Sequence, residues 1–128
     1  MGGIILPTLV RSHGVAIPLA ERHCVVCRPG TPTLAPAEID RLLHDLPGWT
    51  VSQSDGHLQL TRTFKFKRFM PGVELIDRIA PIAEAEGHHP DLHLTYGSLH
   101  VVLWTHAAGG LTENDFVLAA KIDRIESP

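Results

Sequence analysis

With 128 residues and 14.0 kDa the chain has room for one hydrophobic core, and 44% hydrophobic, 20% charged and 5% aromatic residues exclude a disordered or fibrous protein. A net charge of −3 and a pI near 6.3 supply no basic face for phosphates, so no direct nucleic-acid partner is expected. No apolar run approaches the roughly 20 residues of a bilayer span, and the stretch Ile4 to Val10, broken by Pro7 and followed by Arg11, lacks the basic start and cleavage pattern of a signal peptide, so a cytoplasmic protein is expected.

Residues 1–33 carry Pro7, Pro18, Pro29 and Pro32 and read as an irregular, mildly basic lead-in; residues 34–128 form the domain. Within the lead-in, Cys24 and Cys27 have the CxxC spacing of half a zinc site or a redox pair. There is no second cysteine pair and no surrounding βαβ pattern, so free thiols are the simpler reading. Ile39, Leu42, Leu43 and Leu46 then recur at helical spacing after Pro36, with Pro47-Gly48 as the stop, predicting a helix over 36–46. Trp49 to Ser52 reads as a short strand and Ser54-Asp55-Gly56 as a turn. Leu58, Leu60, Phe64 and Phe66 alternate with polar residues along a second strand.

A long helix follows over 68–86, with Phe69, Val73, Ile76, Ala80 and Ala83 on one stripe and Leu75, Ile79 and Ile82 widening it. Pro81 should bend or interrupt it, and Gly87 ends it. A second hairpin has Leu92, Leu94 and Tyr96 in one strand, Gly97-Ser98 as its turn and Leu99 to His106 as the partner. Thr112 with Asp115 is an N-capping arrangement for a terminal helix carrying Phe116, Leu118, Ala119 and Ile122. The order α-β-β-α-β-β-α predicts an α+β fold, a four-stranded antiparallel sheet with three helices packed on one face, because strands arriving as hairpins pair antiparallel.

Nine histidines stand against one tyrosine, and five of them, His88, His89, His93, His100 and His106, fall within 19 residues. For His93 and His100 a solvated sheet face is explanation enough. His88 and His89 lie just past a helix end, where carbonyls favour a cation, so imidazoles there can hold or release a proton near neutrality. Pro90 makes their corner stiff. A zinc site would need His88 and His89 to converge with His106 or an acid, yet neighbours in extended chain point apart and no HExxH pair exists, so no metal is expected. Without a GxSxG elbow, nucleophilic catalysis is weaker still, which leaves acid–base chemistry.

Taken in order, Glu84-Ala-Glu-Gly-His88-His89-Pro90, Tyr96, Thr105-His106 and Gly110-Leu-Thr-Glu-Asn-Asp115 resemble the signature of pterin-4a-carbinolamine dehydratases. The resemblance runs from about Leu34 to Asp123 and includes Gly48-Trp49 and Phe64-Lys65-Phe66; residues 1–18 have no counterpart, and Leu92 stands where some members carry an aromatic. It implies that His88, His89 and His106 are the catalytic histidines. It implies further that His88, His89, Pro90, Thr105, His106, Ala107 and Ala108 bind the pterin, and that Glu84 and Asp115 are supporting acids, with Asp115 orienting His106.

By the same resemblance the reaction is loss of water from a 4a-hydroxytetrahydropterin to give quinonoid dihydropterin, in tetrahydropterin recycling, with no metal and no organic cofactor. The implied partners are a pterin substrate, a second or further copies in a homodimer or homotetramer, and a functional link to an aromatic amino acid hydroxylase. The competing reading is a binding module, since relatives serve as a dimerisation cofactor or as assembly factors; those that lost catalytic histidines differ from this chain, which keeps all three.

Overall fold

The computed structural model describes residues 17–126. A single 3-10 turn, Leu19–Glu21, precedes helix α1 (Pro36–Leu43), strands β1 (Thr50–Ser54) and β2 (His57–Lys65), helix α2 (Met70–Glu86), strands β3 (Asp91–Thr95) and β4 (Ser98–Leu103) and helix α3 (Glu113–Glu126). The four strands form one antiparallel sheet in the order β1-β2-β4-β3, the expected α+β arrangement.

Period-two patterning decides which face is buried. Leu60 and Phe64 of β2 and Leu99, Val101 and Leu103 of β4 turn toward the helices and are buried with Ile39, Leu42, Leu75, Ile79, Phe116 and Leu118. The opposite face carries Thr61, Thr63, His93 and His100, with Thr63 and His93 both level with His100 across the ladder. Asp55 and Gly56, at φ 51° and 83°, make a two-residue turn between β1 and β2, the left-handed geometry whose twist matches that of paired strands.

Several boundaries differ from the sequence expectation. After Leu43, α1 relaxes into three-residue closures, with Leu46 N–H donating to the Leu43 carbonyl. Helix α2 runs unbroken through Pro81, because the proline stands exposed, where the carbonyl it leaves unpaired can be hydrated. Its buried stripe is Gly72, Leu75, Ile79 and Ala83, whereas Phe69 is 43% exposed and Ala80 is exposed. Gly72 explains this rotation: a Cβ there would come within 2.7 Å of Leu94 Cδ1, so the helix lies close against the sheet only along that line. The second hairpin turns at Tyr96-Gly97, and β4 ends at Leu103, so His106 belongs to a loop rather than to a strand.

The stretch 17–33 has no regular structure beyond its 3-10 turn, yet it is packed. Leu19 is buried, and Lys121 Nζ donates to the Ala20 carbonyl at 2.9 Å. Among the described residues, no helix is long and apolar enough to cross a membrane.

Candidate active site

The three histidines singled out in the sequence meet at one cleft of about 480 Å³, where the end of α2, the start of β3, the loop after β4 and the first turn of α3 come together. Gly87 turns the chain out of α2 at φ 65°, and its N–H and that of His88 close back on the last helical carbonyls. The chain passes directly from this cap through His88-His89-Pro90 into β3.

Extended neighbours face opposite ways, and here they do. His88 turns inward, with 11% of its side chain exposed, and its Nε2 donates to Oδ1 of fully buried Asp115 at 2.6 Å. His89 turns outward, and its Nε2 donates to Glu84 Oε1 at 2.9 Å, an exposed pair that contributes little stability.

Asp115 accepts three hydrogen bonds in all. Its Oδ2 accepts the Thr105 hydroxyl at 2.8 Å and the Thr112 N–H at 3.0 Å. Thr105 has one hydroxyl proton, spent on Asp115, so the Thr112 hydroxyl donates to Thr105 Oγ1 at 2.8 Å. The capping pair read from Thr112 and Asp115 is therefore half formed: the acid caps the backbone, while the threonine hydroxyl joins the polar network. A carboxylate in the first turn of α3 also sits at the favourable end of the helix dipole.

This network corrects the expectation that Asp115 orients His106. Loop 106–109 is folded tightly, the N–H groups of Ala108 and Gly109 donating to the Thr105 carbonyl and Thr105 bridging to Gly110. His106 is thereby turned outward. Its ring lies 3.8 Å from that of Trp104, which stacks at 3.6 Å on His57 as well, so Trp104 is sandwiched between two imidazoles. Stacking fixes the His106 ring plane, and among the described residues no protein group occupies its nitrogens.

His88, His89, Pro90, Thr105, His106 and Ala107 all line the cleft; Ala108 does not, because its N–H folds back into the loop. Glu84, exposed, and Asp115, buried, are not part of the lining, but each holds one histidine. His93 and His100 lie on the open sheet face outside the cleft, where His100 Nδ1 meets the Thr63 hydroxyl at 2.7 Å. Sequence reasoning did not foresee Trp104, Asn114, Val25, Val26 and Cys27 in the lining. Only the position of Trp104, two residues before His106, offered a signal.

Near the cleft, Glu86 anchors the incoming chain. Burial alone would raise its carboxyl, but the Cys24 N–H at 2.7 Å, His23 at 2.9 Å and Lys121 at 3.6 Å hold it below the ordinary carboxylate value. Burial, reinforced by the charges of Glu86 and Asp115, pushes the Cys24 thiol up to about 12. Among the described residues, no three His, Cys, Asp or Glu side chains are grouped to hold a metal ion. A larger surface hollow of about 650 Å³, between Ile17 to Arg22 and Asp45, Asp123 and Arg124, contains none of the histidines.

The fold and cleft define a small α+β protein with a histidine-lined pocket at one end of an open-faced antiparallel sheet. Residues 32–125 match the model of the family described as pterin 4 alpha carbinolamine dehydratase, and the chain belongs to that family. A family protein of Saccharophagus degradans is 44% identical over 107 residues, 84% of this chain and 95% of its own length; one of Rickettsia bellii is 46% identical over 110 residues, 85% and 95%. A crystal structure titled transcriptional coactivator/pterin dehydratase, from Brucella melitensis, superposes with a TM-score of 0.67 at 35% identity, covering 74% of this chain and 99% of that one. A pterin dehydratase-like protein described as a RuBisCO assembly factor in the alpha-carboxysome shares the fold at TM-score 0.53 and 21% identity, covering 62% and 90%.

Proposed function

We propose that the chain is a 4a-hydroxytetrahydropterin dehydratase working by histidine general acid–base catalysis. The observation that carries this is the convergence of His88, His89 and His106 on one cleft of about 480 Å³, within the roughly 300–1,000 Å³ of small-molecule sites.

In the reaction the N5–H bond and the C4a–O bond break, the C4a=N5 double bond forms, and water leaves. Hydroxide leaves poorly, so the oxygen needs a proton as the bond breaks. Asp115 takes a hydrogen bond at His88 Nε2, which places the proton of neutral His88 on that nitrogen and leaves Nδ1 with a lone pair. His88 can therefore accept a proton at Nδ1 and, once charged, return one from it. His106, with its ring plane set by Trp104, is the second exchanging group. Each such group typically contributes about 10²–10⁴-fold. His89, tied to exposed Glu84, positions the substrate and assists.

Imidazoles suffice for both proton transfers, so the reading needs no metal and no organic cofactor. A homodimer or homotetramer, a cytoplasmic setting, tetrahydropterin recycling and a link to an aromatic amino acid hydroxylase belong to the same reading, supported by family membership.

The test generates the 4a-carbinolamine in situ and follows its disappearance by absorbance. The purified chain should accelerate dehydration well above the uncatalysed background and do so equally after EDTA treatment. A rate equal to background overturns the reading; loss with EDTA and recovery with zinc overturns its metal-free form.

A further inference from the structure

Ahead of the family match at 32–125, the stretch His23 to Cys27 crosses the ends of α2 and α3 and enters the mouth of the histidine cleft. Its first half is held by Glu86, which accepts the Cys24 N–H and His23 Nδ1. Its second half is held by Asn114, 5% exposed. The Val25 N–H donates to Asn114 Oδ1 at 2.9 Å, and Asn114 Nδ2 donates to the Val25 carbonyl at 2.7 Å. One side-chain amide thus serves the strap as a neighbouring strand would, using its donor and its acceptor together.

This anchoring holds Val25 and Val26 out with 70% and 85% of their surface exposed, and both line the cleft shared by His88 and His106. Two branched aliphatic side chains on a fixed backbone are apolar surface that the chain itself does not cover. A flat heteroaromatic ring has polar edges, suited to imidazoles and backbone, and apolar faces suited to such side chains.

We infer that Val25 and Val26 contact the bound pterin and set its affinity, and that Asn114 is the residue positioning them; this rests on the reading of the cleft as a pterin site. The valines touch no proton in flight, so their contact strengthens ground state and transition state alike and acts on KM.

The full-length Val25→Ser/Val26→Ser variant, its fold checked by circular dichroism, tests this by steady-state dehydration kinetics and equilibrium dialysis of 7,8-dihydrobiopterin. kcat/KM should fall about tenfold, the scale of a few methyl groups in a binding pocket, with the loss in KM and a matching rise in Kd. Val25→Ile/Val26→Ile should restore both. Asn114→Ala should raise Kd similarly and speed tryptic cleavage after Arg22, the readout of a released strap.

Unchanged KM and Kd in the folded serine variant overturn the inference, as does a loss confined to kcat. If the wild-type chain binds dihydrobiopterin without accelerating dehydration, the dehydratase reading fails, and the strap is still judged by Kd. A wild-type chain that neither binds nor turns over overturns both.

Discussion

His88 and Asp115 are joined by a 2.6 Å hydrogen bond across 27 residues of sequence, tying the cap of α2 to the first turn of α3. The acid shows no surface to solvent and the imidazole very little, so the bond is shielded from competing water. The contact therefore joins two helices and at the same time holds the proton of a neutral His88 on Nε2.

Asp115→Asn should lower kcat by roughly 10²-fold or more, the scale of losing a correctly presented general base. An amide can offer Nδ2–H where His88 requires an acceptor, reversing the preferred tautomer, or it can turn that group against the Thr105 and Thr112 donors. In the first case the amide's second N–H, and in the second the Thr112 N–H, is left buried without an acceptor, costing about 1–3 kcal/mol. Rate measurements paired with thermal melts should show both losses; a folded variant with wild-type kcat would remove His88 from proton transfer.

His88→Ala and His106→Ala should each reduce kcat by roughly 10²-fold, whereas His93→Ala and His100→Ala should do far less. The first two imidazoles line the cleft, while the latter two face out from the sheet. Assays above the uncatalysed background, with folding verified by circular dichroism, separate the cases. A large loss in folded His93→Ala would place proton transfer on the open sheet face instead of in the cleft.

The sheet and its hairpins were readable because alternation at Leu58, Leu60 and Phe64 and the Asp55-Gly56 turn are local signals. The three cleft histidines were readable through an ordered motif. Partners were harder: which imidazole Asp115 holds depends on how loop 106–109 folds, and that is settled by backbone hydrogen bonds to Thr105 rather than by spacing. The buried stripe of α2 was misplaced because Gly72, which counts for nothing in a hydrophobic pattern, is where the helix meets Leu94. The strap was missed for a related reason. His23 to Cys27 has no periodicity, and its contacts are side-chain hydrogen bonds with Glu86 and Asn114, residues far away in sequence.

Glu86 gives a pH-dependent stability term of definite sign. Its folded carboxyl titrates below the ordinary value of 4.5, so its contribution is present above that value and is lost as pH falls through the folded one. Glu86→Gln should lower the melting temperature at pH 7, and the gap from wild type should close toward pH 3. A gap independent of pH would show that the carboxylate charge is not what anchors Cys24 and His23.

Cys24 should resist alkylation in the native state. With its thiol at about 12 rather than 9.0, its thiolate at neutral pH is scarcer by on the order of a thousandfold, and the thiolate is the reactive form. Iodoacetamide labelling followed by mass spectrometry should modify Cys24 slowly in folded protein and readily in denaturant. The linkage sign is opposite to that of Glu86: the protonated thiol favours folding below pH 9, and this is lost as pH rises toward 12. Rapid native labelling of Cys24 would contradict its burial beside Glu86 and Asp115.

The sheet order leaves β1 and β3 as edges, each five residues long, with backbone groups on the outer side directed away from the sheet. Protective devices are sparse: β1, Thr-Val-Ser-Gln-Ser, has no proline and no charge, and β3 has one aspartate and no lysine. Such edges favour pairing with another copy, and a closed symmetric assembly satisfies them without open-ended growth. Light scattering at micromolar concentration should therefore give two or four times the 14.0 kDa chain mass. A single species at 14.0 kDa would mean that five-residue edges this weakly guarded remain uncovered in solution, their backbone groups satisfied by water.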